Sequence, residues 1–401
     1  MMWRTWLARL LIVSLCLSAL FAVQALLFAT INDYVVQIII LAGINIILAV
    51  SLNLINGVTG QFSLGHAGFM AIGAYSGGVF SFYVIPKFHV PNAVQMPLTI
   101  IVAALFAAFA GWLVGLPSLR LRGDYLAIVT LGFGEIVRVI LTTINEVGGA
   151  RGFNGLPKLT SFVWVFGMVL LCLYMMRNIA KSALGRAMQA VREDEVAAEA
   201  SGINTTKTKV WSFVISSMWA GVAGALLVHY NQSANPDTFN FLASVMVVIM
   251  VVLGGLGSIT GAAIAAVLLT ILENTLRSAS GAIWVATILA GCVSFLLWQR
   301  WRESKSTFAN SAKVQWIGTS LALFIGVGLL YQFAQPWLAI NISSLRYVIF
   351  ALILIVTMIL RPQGLMGRKE WGLHSIPFLN KRIARESAEY ESANQNVEGA
   401  I

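Results

Sequence analysis

Glu135 and Arg138 stand three residues apart inside an apolar run, which puts a carboxylate and a guanidinium on one face of a helix. Ionised groups are expensive in lipid, so such a pair either lines a polar pathway or ties helices together; the spacing allows both. Gln61, Ser63 and His66 lie in a Gly-rich stretch, NGVTGQFSLGHAGF. Side chains of these types can meet the ammonium and carboxylate of a small molecule, or satisfy the backbone of a broken helix. A third group is a polar island, LGRAMQAVREDEVAAEASGINTTKTK, from Leu184 to Lys209, with Arg186, Arg192, Glu193, Asp194, Glu195, Glu199, Lys207 and Lys209. Its chemistry is that of a surface: charges on a short helix, either solvated or gripped by another protein.

None of these groups is a catalytic constellation. The chain has no GxxxxGK[ST] phosphate loop, no HExxH and no GxSxG. His66, His89, His229 and His374 are scattered, and Cys16, Cys172 and Cys292 sit in apolar runs without metal-ligand spacing. No metal and no cofactor is expected on the chain, and an enzyme is the weakest function class. Energy for any uphill work must come from an ion gradient or from another subunit.

The elements that position these residues are set by composition. Hydrophobic residues make up 58% of the chain and charged residues 10%, against about 25% charged in soluble domains. With a mean hydropathy of +0.83 the solvent for most of the chain is lipid. Apolar runs lie near residues 7–29, 34–55, 97–117, 124–144, 161–177, 210–230, 281–299, 314–334 and 345–360. A further one leads to Ile85, and two stretches, 242–256 and 259–276, are joined by GGLGSITG as a tight turn or a re-entrant kink. Runs this long read as helices rather than barrel strands. The expected fold is all-α and polytopic, with about 10–12 transmembrane helices including broken or re-entrant segments.

The net charge of +10 does not point to nucleic acid, because Lys and Arg cluster between spans and after the last one. If the N-terminus starts inside, the loops near 120, 181–209 and 300–313 and the C-terminus all fall inside. The loops near 88, 146–160 and 231–240, with Arg151 and Asn154, then fall outside. Within the island, Leu184, Met188, Val191 and Ala198 recur at helical spacing with Glu195 interrupting the stripe, so the piece that carries them is expected as a short amphipathic helix, Val191–Gly202 included. Gly202 can stop it, and Asn204 and Thr205 can cap the next helix.

GRAMQAVREDEVAAEASGINTTKTKVWSFVISSMWAGVAGAL resembles the cytoplasmic loop of permease subunits in ABC importers, and most closely the branched-chain amino acid family, LivM-like subunits in particular. SLNLINGVTGQFSLGHAGFMAIGAYSGG, GDYLAIVTLGFGEIVRVI, VVLGGLGSITGAAIAA and LRPQGLMG agree with it, in family order. The resemblance implies a multi-pass protein of the bacterial inner membrane with both termini cytoplasmic. It implies a homologous LivH-like permease partner, two ABC ATPase subunits that bind the ATP, and a periplasmic substrate-binding protein. By the resemblance, Arg192, Glu193, Asp194, Glu195, Glu199 and Gly202 would form the ATPase-coupling element. Gln61, Ser63, His66, Glu135 and Arg138 are the candidates for the translocation pathway. Import of urea or short amides, by permeases similar to this family, is an alternative. An ion-coupled secondary transporter is another, although it would need no soluble coupling helix. The permease domain is expected over 1–367, with the coupling loop at 181–209, an unmatched two-span insertion at 277–344 and a polar tail at 368–401. The AEASG stretch departs from the fuller loop consensus of other ABC importer families, so docking is assigned to the group and not to one residue.

Overall fold

A computed structural model describes residues 18, 20–25, 27–28, 31–88, 91–118 and 123–276, with Phe350, Ile355 and Gly364. The expected insertion at 277–344, the tail at 368–401, most of the first apolar run, and His89, Arg120 and Arg122 lie outside the described residues.

Asn32 caps α1 (Asp33–Asn53), its side chain accepting from the Tyr34 amide at 3.3 Å. The run QIIILAGINIILAV is rich in β-branched residues, yet in lipid it is helical because every amide must find a partner within its own segment. A π-helical turn, Leu54–Val58, prolongs α1, and an unwound stretch leads to α2 (His66–Val79). Then follow α3 (Asn92–Ser118), α4 (Asp124–Thr143) and α5 (Phe162–Lys181). The polar island forms α6 (Ala183–Glu193) and α7 (Glu195–Ala200), and α8 (Thr205–Asn231) starts at an Asn204 cap on the Lys207 amide, 2.8 Å. Two apolar helices, α9 (Phe241–Gly254) and α10 (Ile259–Leu276), follow. Apart from the two-residue strands β1 (Phe153–Asn154) and β2 (Ser233–Ala234), the fold is all-α.

Six helices among the described residues are long and apolar enough to cross a membrane: Asp33–Val58, His66–Phe88, Val94–Leu116, Tyr125–Thr143, Phe162–Lys181 and Thr205–Asn231. The first and last are the most buried, 67% and 72%, and form the centre; Tyr125–Thr143 and Phe162–Lys181, at 22% and 28%, are peripheral. Ile44, Ile47, Leu52, Phe69, Phe213 and Leu226 fill the core between them. Small residues set the helix spacing. A Cβ at Gly73 would fall on the Gly221 backbone, and one at Gly221 on Ala107 and Ala103, so α2, α3 and α8 cross in backbone contact. A Cβ at Gly68 would lie 2.7 Å from Gly134 Cα, so α2 meets α4 just as closely.

The loops sort onto two faces. On one, β1 pairs antiparallel with β2 in the register Phe153↔Ala234, Tyr75 Oη donates to the Ala234 carbonyl at 3.0 Å, and Tyr83 Oη donates to that of Glu146 at 2.9 Å. On the other, the end of α1, the polar island and the α9–α10 turn meet. This is the sorting expected for the loops near 88, 146–160 and 231–240 against the island.

Helix α9 has 14 residues and is about 21 Å long at 1.5 Å per residue, short of a hydrocarbon core of about 30 Å. It starts at mid-height of α4, where the Phe241 amide donates to Glu135 Oε1 at 3.1 Å, and ends beside Gly57 on the island face. The joint at GGLGSITG is therefore a tight turn, and the re-entrant part is the segment before α9. Gly364, from the LRPQGLMG stretch, packs on this turn: a Cβ there would lie 2.5 Å from Gly255 Cα.

Candidate functional site

The island is held to the membrane helices by Arg192. From the last turn of α6 its Nη1 donates to the carbonyl of Gly57, at the C-terminal end of the α1 extension, where the helix dipole favours a cation. The side chain lies in a trough without Cβ atoms: a Cβ at Gly60 would come 2.7 Å from Arg192 Cγ, and one at Gly257 2.9 Å from Nη1. Gly257 also has φ +93°, open to glycine at little strain. Asn53, buried in α1, completes the junction. Its Nδ2 donates to the Ser258 carbonyl at 3.0 Å, and its Oδ1 accepts from the Gly257 amide at 2.9 Å. The end of α1, the end of α6 and the α9–α10 turn are thus joined around one asparagine and one arginine.

The stretch Val191–Gly202, expected as one helix, is two. Asp194 breaks it in an extended conformation, its carboxylate accepting from the amides of Val196 at 2.8 Å and Ala197 at 3.1 Å. Glu195 turns inward to an ion pair with Lys209, a buried residue of α8. Gly202 ends α7 with φ +82°, its amide on the Glu199 carbonyl and that of Ile203 on Ala198 at 3.0 Å. The side chains of Glu193 and Glu199 are exposed, with Val196 between them 65% exposed. The six residues expected to act together therefore divide into a shaping set, Arg192, Asp194, Glu195 and Gly202, and an outward pair, Glu193 and Glu199.

Gln61, Ser63 and His66 lie in and beside the unwound stretch between α1 and α2, all buried. Side chains from four helices satisfy it. Ser63 exchanges bonds with Asn56, its amide donating to Oδ1 at 3.2 Å, and the Leu64 amide donates to Thr130 Oγ1 at 3.0 Å. The Ala67 amide donates to Ser244 Oγ at 3.1 Å, and Gln61 Oε1 accepts from Ser212 Oγ at 3.3 Å. His66 Nε2 lies 2.9 Å from Ser51 Oγ, while His66 Nδ1 and Ser63 Oγ have no hydrogen-bond partner among the described residues.

Glu135 and Arg138 do pair, with Arg138 Nε donating to Glu135 Oε2 at 2.8 Å. A third member, Asp237, comes from the re-entrant segment and accepts from Arg138 Nη1 at 3.3 Å. These charges sit within the length of α4, beside the exposed Ile136, Val139 and Ile140. Between the unwound stretch and Glu135 runs a crevice of about 10 Å³, walled by Leu64, Gly68, Gly134, Glu135, Asn240 and Ser244; that is room for a single water at most. Arg151 and Asn154 are on the strand face, with Asn154 Nδ2 donating to the Gly152 carbonyl at 3.3 Å. Sequence reasoning missed Asn53 and Asp237, and gave Lys209 no role beyond that of one island charge among several. An Asn in an apolar run, as at Asn45 and Asn53, is the signal that could have flagged the first; the other two lie in polar stretches and carry no such mark.

The profile of the family described as "Branched-chain amino acid transport system / permease component" matches residues 34–298. The chain is similar to the high-affinity branched-chain amino acid permease protein LivM of Salmonella typhimurium, 37% identical over 277 residues, covering 60% of this chain and 63% of that protein. LivM of Escherichia coli gives the same figures, and LivH of Salmonella typhimurium is 34% identical over 155 residues, covering 38% and 47%. The match thus spans less than two thirds of the length of these LivM relatives. No solved structure matches the chain. The family profile takes in the unwound helix, the Glu135–Arg138 pair, the clamped island and the α9–α10 turn within one continuous match, and the chain belongs to the permease-component family of branched-chain amino acid transport systems.

Proposed function

We propose that this chain is the permease subunit of an ABC importer that moves branched-chain or related apolar amino acids across the bacterial inner membrane. Separate ATPase subunits bind the ATP and supply the energy, a homologous LivH-like permease completes the pathway, and a periplasmic protein delivers substrate. The chain itself is no enzyme and holds no cofactor. The observation that carries the reading is the clamp. A polar loop is fastened through Arg192 to the end of a broken helix and to the α9–α10 turn, and through Glu195 to Lys209 of α8. A docking event on α6 and α7 therefore acts directly on the helices around the unwound stretch. Differential contact in two states is what a transport cycle needs. Glu193, Val196 and Glu199 supply the outward contact with the ATPase. Arg192, Asp194, Glu195 and Gly202 give the loop its shape and pass its movement inward.

On the opposite half, Glu135, Arg138 and Asp237 face the pathway shared with the second permease, because charges at that depth are tolerated toward water or protein and not toward lipid. Gln61, Ser63 and His66 hold the broken helix, whose neighbours Leu64 and Gly68 wall the crevice beside Glu135, closed in this conformation. The names of the LivM and LivH relatives favour branched-chain amino acids as cargo.

The test is uptake into proteoliposomes holding this chain, its permease partner and the ATPases, with the cognate binding protein outside and ATP inside. Leucine, isoleucine and valine should enter only when ATP is hydrolysed. Uptake of urea alone would move the cargo assignment to amides. Uptake that survives removal of the ATPases and stops with an ionophore would replace the ABC reading by ion coupling.

A further inference from the structure

Two apolar grooves open side by side on the outer surface of α8 near its start. The first, about 520 Å³, lies between α6 and α8 and is lined by Leu184, Ala187, Ile203 and Ile215. The second, about 580 Å³, lies between α3 and α8 and is lined by Leu105, Phe109, Trp112 and Val214. Lys207 and Trp211 line both and form the ridge between them. Lys207 is the one charged residue in either lining, and no carboxylate among the described residues is paired with it. Trp112 and Trp211 are 46% and 45% exposed. The level is that of the membrane boundary: Lys207 is in the first turn of the α8 span, and the end of α3 lies beside it, with a Cβ at Gly115 reaching 3.5 Å from Val210 Cα.

Tryptophans and a lysine at the end of a span are the marks of a headgroup level. From it one apolar groove runs along α3 and α8, and the other between α6 and the start of α8. A straight partner helix would need one continuous groove, and the Lys207–Trp211 ridge divides this surface in two. Two grooves joined at a single cation match a ligand with two apolar tails and one anionic head. The geometry points to a single anionic diacyl phospholipid, its phosphate at Lys207 and one acyl chain in each groove. Bound there, it ties α6, the first helix of the clamped loop, to α3 and α8. The inference does not depend on the cargo or on the energy source.

The test is native mass spectrometry of the full chain released from detergent micelles, after addition of phosphatidylglycerol or phosphatidylcholine with identical acyl chains. Wild type should retain one phosphatidylglycerol in preference to phosphatidylcholine. Lys207→Ala should lower that preference about fivefold, the share of one basic residue near a charged headgroup, and Lys207→Arg should restore it. A photoactivatable phosphatidylglycerol should label Leu105, Phe109 or Ile215. Equal retention of the two lipids by wild type, or an unchanged preference in Lys207→Ala, overturns the proposal. So does labelling that spares both grooves, which would mean that protein covers them.

Discussion

Replacing Arg192 by alanine removes a side chain that spans from the polar island to the broken helix. Two losses follow. The charge-assisted bond to the Gly57 carbonyl disappears, a contribution of about 1.5–3 kcal/mol, and that buried carbonyl is left without this donor. The side chain is half-buried, so the lower part of the range applies, and about 2 kcal/mol is the expected weakening of the clamp, or roughly a thirtyfold shift in its opening equilibrium. The global fold should survive, because the core between α1, α2 and α8 is untouched. Hydrogen exchange on the permease without ATPases is the assay. Peptides covering 183–193 and 54–60 should exchange up to about thirtyfold faster, and ATP-driven uptake should fall while ATPase activity persists. Arg192→Lys, which keeps a cation of similar reach, should recover part of both. Unchanged exchange in the loop of Arg192→Ala, together with lost ATPase binding, would refute the clamp and return Arg192 to a docking role. The Arg192→Ala, Glu195→Ala double variant should be uncoupled yet still inserted in the membrane.

Gly257→Ala puts a Cβ 2.9 Å from Arg192 Nη1 at a φ of +93°, so it should expel the guanidinium and copy the Arg192→Ala exchange pattern; normal exchange would show that the trough does not hold the side chain. Arg138→Ala leaves Glu135 and Asp237 as two carboxylates without their shared cation. With Asp237 largely exposed and Glu135 and Arg138 each about a third exposed, the expected loss of stability is at most about 1 kcal/mol, read as a lower melting temperature in detergent, with uptake reduced beyond what the melting explains. Glu195→Gln leaves buried Lys209 without its counter-charge, and should lower the melting temperature more than Glu199→Gln at the exposed face.

The all-α polytopic fold was legible because lipid forces apolar runs into helices, and the separation of the 181–209 island from the loops at 146–160 and 231–240 because successive spans alternate the faces of their loops. Local chemistry was legible too. The three-residue spacing of Glu135 and Arg138 gave a real pair, and Gly202 and Asn204 end one helix and cap the next as read. Met188, Val191 and Ala198 are the buried stripe of the island. The break at Asp194 was not foreseen, because an aspartate among helix formers reads as a surface charge until its cap bonds are seen. Contacts between distant segments were beyond reach: Arg192 meets a carbonyl 135 residues earlier, and Asp237 joins a pair 99 residues away. No periodicity announces such partners, and an inward arginine and an outward one look alike in sequence.

The asparagine at the α1 end also sets a timetable for biogenesis. Asn53 waits for Ser258, 205 residues later, and Gly57 waits for Arg192. At about 5–20 residues per second of synthesis, the first delay is about 10–40 s and the second about 7–27 s. Through that interval the end of α1 and its extension, with Asn53 and the Gly57 carbonyl, are already made while their partners in the α9–α10 turn and in α6 are still to be synthesised. Nascent chains halted before the α9–α10 turn should therefore be open to proteolysis and membrane quality control at this stretch, and chains carrying the turn should be protected.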